Sequence, residues 1–321
     1  MTNAWLEAVR EADKRVRPYI RRTPLEYSPF LSQETGTSVF LKCEMLQITG
    51  SFKLRGAANK LLSLSEQAYE GSVITASTGN HGAGVLHMAN QLGIAAEVYL
   101  PVTASKSKVN RLRQLGATIR QEGTDSLISE QIARQRAEEK QVPFISPYND
   151  REIIAGQGTM TLEIMEQLPE AEAIFVPVGG GGLISGAGAA LRAHSTVKLV
   201  GCQPENSAVM HASIKAGEIL DIPSSPTLSD GTAGGLEPDS LTFPLCQQWV
   251  DQFIDVSEEE IADAMRAIMK HHHFLIEGAA GLALAALQQQ VQDFKGKSVV
   301  LVLCGRNVSL EVIKGLLHSW P

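Results

Sequence analysis

Five short apolar runs, largely β-branched, recur along the chain at 72–77, 95–101, 172–178, 197–203 and 298–304. Such near-continuous hydrophobicity marks strands buried on both faces, as in a parallel sheet covered by helices on either side. The stretches between them predict helices over 80–92, 105–115, 124–139, 151–168, 182–193, 206–216, 257–272 and 309–318. Asp125 and Ser257 stand at N-cap positions, and Ser257 with Glu260 fits a capping box. Strand–helix alternation of this kind specifies an α/β fold with open, mostly parallel twisted sheets flanked by helices. Ligands of such sheets bind beyond the carboxyl ends of the strands. The loops that follow strands are therefore the place to look for function.

Bulk properties narrow the field. A length of 321 residues suggests about two domains of ordinary size. The formal net charge of −7 argues against nucleic acid and anionic membranes as partners, since both are bound by basic patches. The N-terminal MTNAWLEAVREADKRVRPYI mixes charges and has no signal-like apolar core. No stretch approaches the roughly 20 apolar residues that span a bilayer. Cys43, Cys202, Cys246 and Cys304 are widely spaced without a CxxC pair, which suits buried, reduced thiols in a cytoplasmic protein.

Three loops carry unusual chemistry. Gly179-Gly180-Gly181-Gly182-Leu183 lies between the strand 172–178 and the helix 182–193. Uncovered amides at a helix N-terminus make a cradle for an anion, usually phosphate. No GK[ST] follows, and the next strand ends in Gln203 instead of an acidic ribose ligand, so neither a P-loop nor a dinucleotide fingerprint is present. The second loop, Thr49–Gly56, places Lys53 beside Phe52 at a helix start, where a lysine opposes the helix dipole unless it has a task. It reads either as a Schiff-base lysine against an aromatic wall or as an ordinary solvated one. The third, Ser77-Thr78-Gly79-Asn80-His81, offers small polar side chains and open amides at another helix N-terminus, sized for a carboxylate.

The segments SFKLRGA, STGNHG, IAGQGT (154–159), GGGGL and LCGRN (303–307) occur in the order found in fold-type II pyridoxal-phosphate enzymes. The chain resembles the serine/threonine dehydratases and serine racemase of that family from about Arg22 to Leu317. The resemblance implies the tryptophan synthase β-like fold with two such sheets, and pyridoxal 5'-phosphate as cofactor. Lys53 is then the residue that holds the cofactor and serves as the Cα base. Phe52 packs against the ring, Asn80 bonds its hydroxyl, Cys304 faces its nitrogen, and Gly179, Gly180, Gly181, Gly182 and Leu183 bind its phosphate. Ser77, Thr78, Gly79, Asn80 and His81 hold the substrate carboxylate.

The same resemblance implies a large domain from 1–68 and 150–321, an inserted mobile domain at 69–149, and a homodimer. The expected function is an L-threonine/L-serine ammonia-lyase that yields a 2-oxo acid and ammonia. Serine racemase, 3-hydroxyaspartate dehydratase or a non-catalytic cofactor-binding protein are the alternatives. Thr78 replaces the serine that acts as second-face base in serine racemase, which weakens the racemase reading. Cys304 replaces the commoner serine, and Arg306 a usual small residue. Gln203 and Val209 stand where racemase-like members carry metal-binding carboxylates, so no metal is expected. His271, His272 and His273 are read as charge complements to a helix C-terminus. Glu277 resembles a family position near the cofactor, although helix capping explains it almost as well.

Overall fold

The computed structural model describes residues 2–77, 79–104, 106–124, 126–192 and 196–318. Thr78 and Asp125 lie outside these described residues. The strands are β1 (Leu25–Tyr27), β2 (Ser38–Lys42), β3 (Val73–Ala76), β4 (Ala96–Leu100), β5 (Thr118–Gln121), β6 (Ala173–Pro177), β7 (Lys198–Pro204), β8 (Gln252–Val256) and β9 (Ser298–Val302). Six of them form one sheet in the order β1-β2-β9-β6-β7-β8, and β3-β4-β5 form a second. All pairings are parallel except β1 with β2.

Each of the five apolar runs is a strand. β3 and β6 are buried at every position, and β7 and β9 at every position but the first. Four further strands escaped the pattern for physical reasons. β5 and β8 are edge strands, and their half-solvated faces interrupt the apolar run. β1 has only three residues. β2 ends in Lys42, whose charge breaks the pattern although the side chain is fully buried.

The helices follow the periodicity closely, with 80–92 observed as Asn80–Leu92 and 257–272 as Glu258–His272. The capping box at Ser257 is present, with Glu260 N donating to Ser257 Oγ at 3.3 Å and Ser257 N to the Glu260 carboxylate at 2.7 Å. The stretch 206–216 is shorter than expected: a 3-10 turn at Glu205–Ser207 precedes helix Val209–Ala216. The histidine run does more than face a helix terminus. His271 stacks on Phe30 with ring centroids 3.3 Å apart, and His272 Nε2 pairs with Ser28 Oγ at 2.9 Å. Burial holds both imidazoles below their ordinary pKa, which weakens the expected charge complement. His273 ends the helix in the left-handed region at φ 57°.

Glycines set how closely three helices pack. A Cβ at Gly56 of helix Lys53–Glu66 would lie 2.9 Å from Ile153 O in helix Arg151–Gln167. A Cβ at Gly158 of that second helix would lie 2.7 Å from Gly186 O in helix Gly182–Leu191. Backbones in direct contact leave little freedom, and the interface transmits position. Lys53 and Gly182, at the heads of the first and third helices, are thereby fixed relative to one another.

Candidate active site

The sheet order brings the functional loops together. β9 and β6 are hydrogen-bonded neighbours, so Cys304 and the glycine loop emerge side by side at the carboxyl edge of the larger sheet. Ser51 bridges Gly305, and Phe52 N donates to Cys304 O at 3.1 Å, which pins the start of helix Lys53–Glu66 beside Cys304. Asn80 begins its helix just beyond the carboxyl end of β3 in the smaller sheet. These contacts, with Lys53 Nζ on Pro147 O and Gly180 against the neighbouring Tyr148, gather Phe52, Lys53, Asn80, Cys304 and Gly179–Leu183 in one region.

Lys53 is half-buried, and its Nζ donates to Pro147 O at 2.8 Å. The amine lies 5.3 Å from the Phe52 ring centroid. Desolvation lowers its pKa to about 8, against the pull of Glu130, Cys304 and Glu277. Such an amine is neutral in a useful fraction near neutral pH, as a nucleophile and base requires. Cys304 is 2% exposed, and burial raises its pKa well above the ordinary thiol value. It presents a neutral S–H.

The glycine loop fits an anion. Among the described residues, none accepts a hydrogen bond from the amides of Gly179, Gly180, Gly181, Gly182 or Leu183. Gly181 takes φ +83°, which turns the chain into the helix. A Cβ on Gly180 would sit 2.4 Å from Tyr148 Cγ, so the absence of a side chain also admits this ring as a wall of the site. Tyr148 was not legible in the sequence, nor were Glu130 and Glu237. Tyr148 OH accepts from Glu237 N at 2.9 Å, and the Glu237 carboxylate accepts from Arg134 at 2.8 Å and Asn149 at 2.7 Å. Burial and the neighbouring Glu237 raise the pKa of Glu130. No run or spacing marks these residues, because distant segments bring them together.

At the second cradle, Gly79 N donates to Ser77 Oγ at 3.2 Å, while the amides of Asn80 and His81 have no acceptor among the described residues. The His81 side chain points away from this task. Its ring Nε2 pairs with Ile145 O at 2.9 Å, and burial, then Lys53, lowers its pKa to about 3. Any contribution from His81 to anion binding is through its backbone.

Glu277 departs from the capping explanation. It occupies the N-cap of helix Gly278–Gln289, yet its side chain makes no capping bond. Instead, Asn80 Nδ2 donates to Glu277 Oε1 at 2.8 Å and Oε2 at 3.0 Å, and Asn307 N donates to Oε2 at 3.0 Å.

The chain belongs to the family of pyridoxal-phosphate dependent enzymes, whose sequence profile matches residues 16–305. Within it, the chain is 42% identical over 320 residues to an L-threonine ammonia-lyase of Thermotoga maritima, covering 98% of this chain and 79% of the relative. Its fold superposes on maize serine racemase with a TM-score of 0.90 at 33% identity, covering 98% and 96% of the two chains. Threonine deaminase isoform 2 of Solanum lycopersicum, in its processed form, matches with a TM-score of 0.92 at 28% identity, covering 99% and 92%. The architecture is thus the tryptophan synthase β-like fold. An unpaired amide cradle, a lysine with a depressed pKa and a neutral thiol fit pyridoxal phosphate: they match its phosphate, its aldehyde and an uncharged ring nitrogen.

Proposed function

We propose that the protein is an L-threonine/L-serine ammonia-lyase, releasing a 2-oxo acid and ammonia by α,β-elimination. The observation that carries this reading is the position of Lys53, with its lowered pKa, at the head of a helix pinned to Cys304 through Phe52 N. The relatives named for threonine ammonia-lyase and deaminase activity support the substrate class.

When bound, pyridoxal phosphate supplies an electron sink for a carbanion at Cα. Lys53 Nζ would hold the cofactor and would serve as the base that takes the proton from the substrate Cα. Gly179, Gly180, Gly181, Gly182 and Leu183 bind the phosphate through their amides. Asn80 offers a side-chain N–H to the ring oxygen, and Phe52 flanks the ring. Cys304 would meet the ring nitrogen with a neutral thiol where a carboxylate would bring a charge. Ser77, Thr78, Gly79, Asn80 and His81 orient the substrate carboxylate, His81 by its backbone.

We further infer that 69–149 is a mobile domain closing on a larger one made of 1–68 and 150–321, which would exclude water from the reaction. A cytoplasmic homodimer is the companion expectation, tested by sedimentation and by fractionation. The function itself is tested by supplying L- and D-serine, L- and D-threonine and the 3-hydroxyaspartate isomers while following oxo-acid release and the chirality of recovered amino acid. Oxo acid from L-threonine or L-serine, abolished in a folded Lys53→Ala protein, is expected. Inversion of serine without elimination, or turnover of 3-hydroxyaspartate alone, would replace this reading with a racemase or a different dehydratase.

A further inference from the structure

Asn80 has a fully specified hydrogen-bond environment on one side. A side-chain amide has two chemically different ends that a 180° turn exchanges, so its neighbours decide which end faces a ligand. The Glu277 side chain is 95% buried, given its 5% exposure, and reaches no solvent that could compete for it. Burial raises the pKa of Glu277, while the N–H donors of Asn80 and Asn307 favour its charged form. As a carboxylate Glu277 only accepts, so the Asn80 NH2 faces it, at 2.8 Å and 3.0 Å. On the other end, Asn307 Nδ2 donates to Asn80 Oδ1 and also to Thr49 O at 3.3 Å. Asn307 is committed as well, because its backbone N–H donates to Glu277 Oε2. The Asn80 and Glu277 side chains, with the side chain and main-chain N–H of Asn307, close a ring of contacts that assigns each end of the Asn80 amide.

The surrounding backbone is shaped to keep this ring. Glu277 N donates to Gly305 O at 3.1 Å, and a Cβ at Gly305 would lie 2.4 Å from Glu277 Oε1. A Cβ at Gly278 would lie 2.1 Å from Leu228 O, so the segment that carries Glu277 is also held close to its neighbours. Glycines at 305 and 278 therefore permit the carboxylate to approach Asn80 from behind.

We propose that Glu277 and Asn307 are positioning residues that lock the Asn80 amide in one orientation, so that its second N–H is the donor offered to the cofactor. This rests on the reading of Asn80 as a contact to the cofactor ring. A donor fixed at the ring oxygen favours the ionised oxygen, whose bound form absorbs in the visible. A turned amide would present a carbonyl, repel that oxygen and favour its protonated form, which absorbs in the near-ultraviolet. Glutamine at 277 can donate or accept, so the orientation is no longer dictated.

The test compares absorbance spectra of the reconstituted holoenzyme, together with pyridoxal phosphate retention by the protein on dialysis, for Asn80→Ala, Glu277→Gln, Glu277→Asp, Asn307→Ala and the Asn80→Ala/Glu277→Gln double variant. Asn80→Ala, Glu277→Gln and Asn307→Ala should each move intensity from the visible band to the near-ultraviolet, with about tenfold weaker retention, the size expected of one lost charge-assisted hydrogen bond. Glu277→Asp, which keeps the carboxylate, should restore part of the visible band. The double variant should equal Asn80→Ala, because the two residues act as one unit. If Asn80→Ala shifts the band and Glu277→Gln and Asn307→Ala do not, or if the double variant is additive, the lock is overturned. An unchanged band in Asn80→Ala overturns the assignment of Asn80 and the lock with it. Should Glu277→Gln fail to fold, Asn307→Ala, on a loop and half-exposed, decides by the same reading.

Discussion

In its proposed role Lys53 must be uncharged, and desolvation moves its pKa towards that state. An unfolded lysine titrates near its ordinary value of 10.5, whereas the native amine titrates near about 8. Between those values the native state binds fewer protons, so the cofactor-free protein gains stability as pH rises through that window. The same titration governs reactivity. The rate at which apoenzyme captures added pyridoxal phosphate should rise along a one-proton curve with its midpoint near about 8, read from the growth of visible absorbance. A rate still climbing at the ordinary lysine value would mean that the amine is solvated. Cys304 is the second residue with a proposed electronic task. Cys304→Ser keeps a small neutral group and should retain most elimination activity. Cys304→Asp puts a carboxylate beside the ring nitrogen, so elimination should slow and the spectrum of bound cofactor should change. Equal kinetics and spectra for the two would place the thiol away from the ring.

At the scale of elements, the helix that carries Lys53 is anchored by a buried ionic cluster two residues further on. Arg55 donates to Glu44 at 2.8 Å through two nitrogens and to Glu163 at 2.9 Å and 2.8 Å, while Lys42 reaches Glu163 at 2.8 Å. All four side chains are fully buried. The cluster joins β2, the 3-10 turn Glu44–Leu46, helix Lys53–Glu66 and helix Arg151–Gln167. Removing one partner strands the others without solvent, so Arg55→Met should cost about 3–5 kcal/mol in chemical denaturation. Wild-type stability in that variant would show that the carboxylates find other partners. This cluster also marks the limit of what the chain reveals unaided. The glycine loop stood out as local chemistry in a strand-following loop, whereas Lys53 was open between two readings from its own segment and Cys304 drew its role from the resemblance alone. Lys42 hid β2, since a charge in a strand reads as solvent until its partner, 121 residues away, is known. Tyr148 and Glu237 were hidden for the same reason. They meet in the site through a hydrogen bond across 89 positions, which no window of sequence contains.

At the scale of the molecule the two sheets are joined by a shared apolar cluster, in which Leu54, Ala57 and Leu61 pack with Val73, Val85 and Met88, and by specific polar pairs. Arg134, on helix Ser126–Lys140 beside the smaller sheet, pairs with Glu237, in the segment that follows helix Val209–Ala216, at 2.8 Å. The junction of β6 and the glycine loop is braced from β7. Gln203 Nε2 donates to Val178 O at 3.2 Å, and Gln203 Oε1 accepts from His211 N at 2.8 Å. Val209, one turn earlier than Ser213, is 3% exposed and packed as an ordinary core residue. Hard cations require oxygen ligands, and here one carboxylate position is an amide engaged with the backbone and the other an alkyl group. Exhaustive chelation should therefore leave oxo-acid release unchanged, and added magnesium should not raise it. A several-fold loss on chelation, reversed by the metal, would show a divalent site built elsewhere. A brace made from a bound ion fills and empties with the surrounding concentration. One made from a glutamine side chain is installed when the polypeptide is synthesised and stays for its lifetime. If chelation leaves the rate unchanged, the supply of divalent ions has no grip on the glycine loop, and its bracing is set once, by translation.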